Sequence, residues 1–116
     1  MEIYTPDVWK VIRITTPEYG VTDKVLAGWY GGFAGANSWK LNSGITATRE
    51  FDDRYEFVGY SGSTYVCYKA VERFSSLTSS IFQSLQDQAS TSGREISFEV
   101  LDYEEKQNVT NATDQD

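Results

Sequence analysis

The sequence predicts an α+β domain: a mostly antiparallel β-sheet of five to six strands with one helix packed on one face. Short runs of β-branched and aromatic residues, punctuated by glycine, proline and asparagine, fill most of residues 8–69. The apolar period then changes to three and four between Phe74 and Ala89, and returns to alternation over 94–101. Strands followed by a helix and a further strand, without a repeating β-α-β order, give an antiparallel sheet rather than a parallel one.

Residues 8–16 are rich in Val, Ile and Thr and end at Pro17-Glu18-Tyr19-Gly20, where proline and glycine take the positions a tight turn requires. A second strand over 21–30 follows and runs into residues 31–37. Gly31, Gly32 and Gly35 make regular structure costly there, so the stretch is expected to be a loop. Residues 38–50 read as extended, interrupted at Asn42-Ser43-Gly44 by a bulge or by a turn that splits them into two short strands. After a turn at Phe51-Asp52-Asp53, residues 54–60 and 64–69 pair through Ser61-Gly62-Ser63 as a hairpin.

Phe74, Leu77, Ile81, Leu85 and Gln88 or Ala89 then fall on one helical stripe, with Phe82 beside it. Ser75 or Ser76 is placed to cap the start, and Gly93 to stop the chain, giving a helix over about 75–90. Over 94–101, Ile96, Phe98 and Val100 share one face and Glu95, Ser97 and Glu99 the other, the pattern of a half-exposed final strand.

A chain of 116 residues supports one core, expected over 1–102. Residues 103–116 are expected to be a disordered acidic tail, because almost nothing apolar is present to offset the entropy of ordering them. The net charge of −7 belongs largely to that end. Residues 102–116 hold five of the 17 acids and one of the ten bases, leaving 12 acids against nine bases elsewhere. The bases are scattered singly, which argues against a nucleic-acid partner. One cysteine, Cys67, excludes an internal disulfide and suits a reducing compartment. The opening residues lack the pattern of a signal peptide, and the weakly polar run at 25–36 is too short to span a bilayer. A cytoplasmic protein with no membrane partner is the expectation, and the Asn-x-Thr sequons at Asn108 and Asn111 then carry no meaning.

Histidine is absent, which removes Ser-His-Asp and Cys-His machinery and the commonest metal ligand. Tyr65, Cys67 and Lys69 share one face of a predicted strand, where a lysine could activate the thiol. A small core side chain is the better reading of Cys67, because free cysteine is usually buried. Asp52 and Asp53 are read as a solvated turn rather than as paired carboxylates. Gly28, Gly31, Gly32 and Gly35 match neither the Walker spacing nor the dinucleotide fingerprint, and no helix follows them. No cofactor and no metal site are expected.

The same segment concentrates aromatics: Trp29, Tyr30, Phe33 and Trp39 surround the glycines. Aromatics beside a pliable loop make a recognition surface, since they offer large contact area at low entropic cost. Equally, Trp29 and Trp39 could both face the core from adjacent strands. The four residues form the candidate partner-binding site.

The segments Ile3-Tyr4-Thr5-Pro6-Asp7, Leu26-Ala27-Gly28-Trp29-Tyr30-Gly31-Gly32, Ser38-Trp39-Lys40-Leu41-Asn42-Ser43-Gly44-Ile45 and Gly62-Ser63-Thr64-Tyr65-Val66-Cys67-Tyr68 cover much of the first two-thirds of the chain. In them the sequence resembles a family of short proteins encoded by marine cyanobacterial myoviruses (cyanophages) and their metagenomic relatives. None of the segments is a chemical motif. The resemblance implies a phage protein acting in the infected host's cytoplasm or carried in a virion, and it brings no activity or functional residues with it. The expected function is a small non-catalytic binding module engaging a host or phage protein. A small structural component of the virion, for which self-association into a homo-oligomer would serve, is the alternative, and an enzyme comes third.

Overall fold

Two four-stranded sheets and one helix make up the described chain, an α+β architecture. The computed structural model describes residues 2–104, apart from the side chain of Phe33. In chain order the elements are β1 (Ile3–Tyr4), β2 (Val8–Thr16), β3 (Gly20–Trp29), β4 (Ser38–Leu41), β5 (Ile45–Glu50), β6 (Arg54–Gly59), β7 (Thr64–Tyr68), α1 (Ser76–Ser92) and β8 (Ser97–Leu101). One sheet has the order β4-β3-β2-β8 and is antiparallel throughout. The other has the order β1-β7-β6-β5, antiparallel except for the short parallel pair of β1 with β7.

The expected single sheet of five to six strands is therefore corrected to two sheets and eight strands. The division occurs at Asn42-Ser43-Gly44, between β4 in one sheet and β5 in the other. Asn42 makes the departure orderly. Its backbone N–H donates to the Val25 carbonyl at 3.0 Å, while its side-chain Oδ1 accepts the Val25 N–H at 2.8 Å. A side chain thus completes the β3 ladder at the point where the backbone leaves it. Gly44, at φ +133°, then takes a conformation that a side chain would resist, and the chain crosses to the second sheet. Tyr60 and Ser61 anchor the crossing by donating their N–H groups to the Gly44 carbonyl and to Ser43 Oγ.

Strand alternation sorts the side chains into layers. Trp9, Val11, Val25, Ala27 and Leu101 leave one sheet on the same face and meet Tyr55, Phe57, Tyr65 and Cys67 from the other, forming the buried core. Residues one place out of phase, including Val8, Gly28, Leu26 and Ile12, face the opposite way, toward α1. Gly28 allows the closest approach there. A Cβ at that position would lie 2.8 Å from Thr78 Cγ2 and 3.1 Å from Val8 Cγ2, so the helix can settle only because glycine is present.

The helix starts and stops where the sequence places its signals. Ser75 Oγ accepts the Thr78 N–H, Thr78 Oγ1 accepts the Ser75 N–H, and Gly93 closes the C-terminus in the left-handed region. Phe82 packs edge-on against Phe98 of β8. Lys10 lies buried on this side of the sheet, pairing with Asp102 and, at 3.5 Å, with the buried carboxylate of Glu72. Glu72 also accepts the N–H groups of Tyr103 and Glu104 at 2.6 and 2.9 Å. These contacts, with the Tyr103 ring packed against Trp9, Tyr55 and Phe57, carry the folded body two residues past the expected boundary at 102. The rest of the expected tail, 105–116, lies outside the described residues.

The Gly28–Thr78 contact yields a coupled prediction. Gly28→Ala should destabilise the protein by about 1–3 kcal/mol in urea melts, the usual range for overpacking a filled contact. Thr78→Ser removes the opposing methyl but keeps the hydroxyl of the capping box, so in the Gly28→Ala background it should recover part of that loss. Additive losses in the double variant would show that this contact does not set the helix position.

Candidate functional site

The aromatic segment is divided by the sheet it belongs to. Trp29 pairs with Ser38 at the end of β3, whereas Gly28 pairs with Trp39, so the two indoles lie on opposite faces. Trp29 faces inward. It packs against the core cluster, meets Tyr4 edge-on at 6.2 Å and donates Nε1–H to the Thr5 carbonyl at 3.1 Å. Trp39 stands on the helix side of the edge strand β4 and keeps 42% of its surface exposed.

Tyr30 follows β3 and is 48% exposed. Its backbone is held in place: the Tyr30 N–H donates to Asp7 Oδ2 at 2.8 Å, and the Gly31 N–H to Asn37 Oδ1 at 3.0 Å. The Gly32 N–H reaches the Ala36 carbonyl, the Gly35 N–H reaches the Gly32 carbonyl, and Ala34 and Gly35 in the left-handed region close the glycine-rich loop. The loop is thus an ordered turn. The side chain of Phe33 lies outside the described residues. Of the four aromatics, Tyr30 and Trp39 are placed at the surface, and Trp29 belongs to the scaffold.

Cys67 is fully buried between the sheets, and burial pushes its thiol well above the ordinary value, with the charge of Glu72 adding to the effect. Lys69 does not serve it. The ammonium pairs with Glu50 at 2.6 Å and lies over the ring of Tyr55. Asp53 in the neighbouring turn pairs with Arg54 at 2.9 Å, and both Asp52 and Asp53 are exposed.

A second feature was not apparent from the sequence. Between β3 of one sheet and β5 of the other lies an open cleft of about 470 Å³. Val21, Thr22 and Asp23 form one wall, and Ile45, Thr46 and Thr48 the other. Tyr60 stands at the rim, 84% exposed. Tyr103 forms the floor, since its ring also packs on the core aromatics. Asp23 sits opposite Arg13 and receives two hydrogen bonds from its guanidinium, Nε to Oδ1 at 2.9 Å and Nη2 to Oδ2 at 3.1 Å. That contact raises the Arg13 pKa. Burial, reinforced by Asp23, raises that of the Tyr103 phenol. Four segments separated in sequence build this cleft. No local signal marks it, because the register shift between Ile45 and Ala47 breaks the alternation of β5 and the Thr46 hydroxyl donates to the Val58 carbonyl.

Two measurements check this placement. Trp29→Ala should cost about 2–4 kcal/mol and Trp39→Ala about 1 kcal/mol in denaturant melts, because only the first indole is packed into the core. Equal losses would contradict the division of the two residues between faces. Stability should also fall in alkali. Tyr65 is pushed up to about 12 by burial, and Tyr55, Tyr103 and Cys67 are raised for the same main reason. In each case the native state keeps a proton that the unfolded chain releases near its ordinary pKa of about 8.5 for cysteine and about 10 for tyrosine. The contribution is therefore complete below those values and is lost as the pH rises from about 9 to about 12. The urea midpoint should be flat from pH 7 to pH 8 and decline steadily above that; a flat profile through pH 11 would contradict the burial of these groups.

Among the described residues, no helix is long and apolar enough to cross a membrane. No family model matches the chain, and neither a curated protein nor a solved structure is significantly similar to it.

Proposed function

We propose that the chain is a small non-catalytic binding module that engages a protein partner through the surface around Tyr30 and Trp39. One observation carries the reading: two large aromatic side chains remain about half exposed on a backbone that is hydrogen-bonded into place. Such residues lose little conformational freedom on binding and supply much contact area, which is why tyrosine and tryptophan dominate the energetics of protein interfaces. The burial of the Cys67 thiol and the engagement of Lys69 by Glu50 support a binding role, since they withdraw the cysteine and its neighbouring lysine from nucleophilic chemistry. In the phage setting implied by the sequence resemblance, the partner is a host or phage protein.

The test is affinity capture from a lysate of infected cyanobacteria, using the wild type beside Tyr30→Ala and Trp39→Ala. The wild type should recover one partner in stoichiometric amount. Each variant should weaken that capture by about tenfold or more while remaining folded, the loss expected of a hot-spot aromatic. Undiminished capture by both variants would overturn the reading. Self-association of the wild type, with the chain found in purified particles and no separate partner, would favour a structural component instead.

A further inference from the structure

We infer that the cleft between β3 and β5 is a binding site for a neutral saccharide, a second site separate from the Tyr30–Trp39 surface. The chemistry of its walls selects that class. Thr22, Thr48 and Tyr103, each a hydroxyl-bearing residue, line one space from both sheets and the C-terminal segment. Each hydroxyl can donate one hydrogen bond and accept others, which suits a ligand whose own groups do the same. Among the described residues, Asp23 is the one charged side chain of the lining, and no cation lines the cleft. An anionic ligand would therefore meet a carboxylate with no positive charge to offset its desolvation. A cation gains little either, because Arg13 already neutralises Asp23 through its two hydrogen bonds.

That ion pair also fixes the carboxylate. With one lone pair on each oxygen engaged by the guanidinium, the remaining lone pairs can accept hydrogen bonds from ligand hydroxyls without reorganisation. Tyr60 and Val21 supply the complementary apolar element. Both are well exposed at the cleft, 84% and 60%, and a flat ring at the mouth can cover the C–H face of a pyranose. The volume of about 470 Å³ lies within the range of about 300–1,000 Å³ usual for small-ligand sites and suits one or two sugar units. The site is also braced: Tyr60 N–H bonds the Gly44 carbonyl, joining the rim to the crossing that begins β5.

The experiment is a titration of the full chain with maltose, cellobiose, lactose and N,N′-diacetylchitobiose, followed by amide chemical shifts. At least one of these should move the resonances of residues 21–23, 44–48 and 60. Tyr60→Ala and Thr48→Val should each weaken that binding by about tenfold, a typical loss for a stacking ring or a paired hydroxyl. Neither should alter the melting midpoint by more than a small amount, and Trp39→Ala should bind the sugar like the wild type, which separates this site from the protein-binding surface. The inference is overturned if none of the four sugars shifts those resonances at tens of millimolar, or if both cleft variants bind as tightly as the wild type. It is equally overturned if glucose 6-phosphate binds more tightly than glucose, since that would mean the cleft selects anions.

Discussion

The two sheets are held in register by the indole of Trp9. It is fully buried on β2, reaches across the sandwich to Tyr55 at 5.9 Å and Phe57 at 5.6 Å, and meets the ring of Tyr103, just beyond β8, at 6.3 Å. Its Nε1–H donates to the Tyr68 carbonyl at 2.7 Å, at the end of β7, so the contact has a fixed direction as well as area. Aliphatic packing alone would leave two twisted sheets free to slide. The indole hydrogen bond and the edge-on rings define one position, and the walls of the β3–β5 cleft take their separation from it. Tyr103 serves both purposes, closing the ring cluster on one side and lining the cleft on the other.

Much of the fold is legible from local pattern. The boundaries of β2, the 54–69 hairpin and the serine-capped, glycine-stopped helix all follow from residues adjacent in sequence, where periodicity, turn chemistry and capping agree. The number of sheets does not follow. β4 and β5 are both extended and separated by three residues, and alternation cannot reveal that the second has joined a different sheet. Only the combination of a buried asparagine completing the ladder and a glycine at positive φ marks the crossing, and Asn42-Ser43-Gly44 reads in sequence equally well as a bulge. β1, two residues long, is too short to have a period.

The candidate surface was legible in composition but not in orientation. Trp29 and Trp39 look equivalent beside a glycine-rich loop, yet the antiparallel register of β3 and β4 sends them to opposite faces. That result depends on pairing, which no single segment encodes. The β3–β5 cleft was hidden for the same reason, since its carboxylate, hydroxyls and rim aromatic come from residues 23, 46–48 and 60 and meet only after the chain has crossed between sheets.

The position of β8 has a kinetic consequence. It pairs with β2, so the edge of that sheet is completed by joining residues 8–16 to 97–101, the most widely separated strand partners in the described chain. During synthesis the β2–β3 hairpin emerges early with one edge unpaired, and Leu101 and Tyr103, which seal the core, emerge about ninety residues after Trp9. Closing so long a loop before its contacts can form makes that step slow compared with hairpin or helix formation. The nascent chain therefore carries an open β2 edge through most of its elongation.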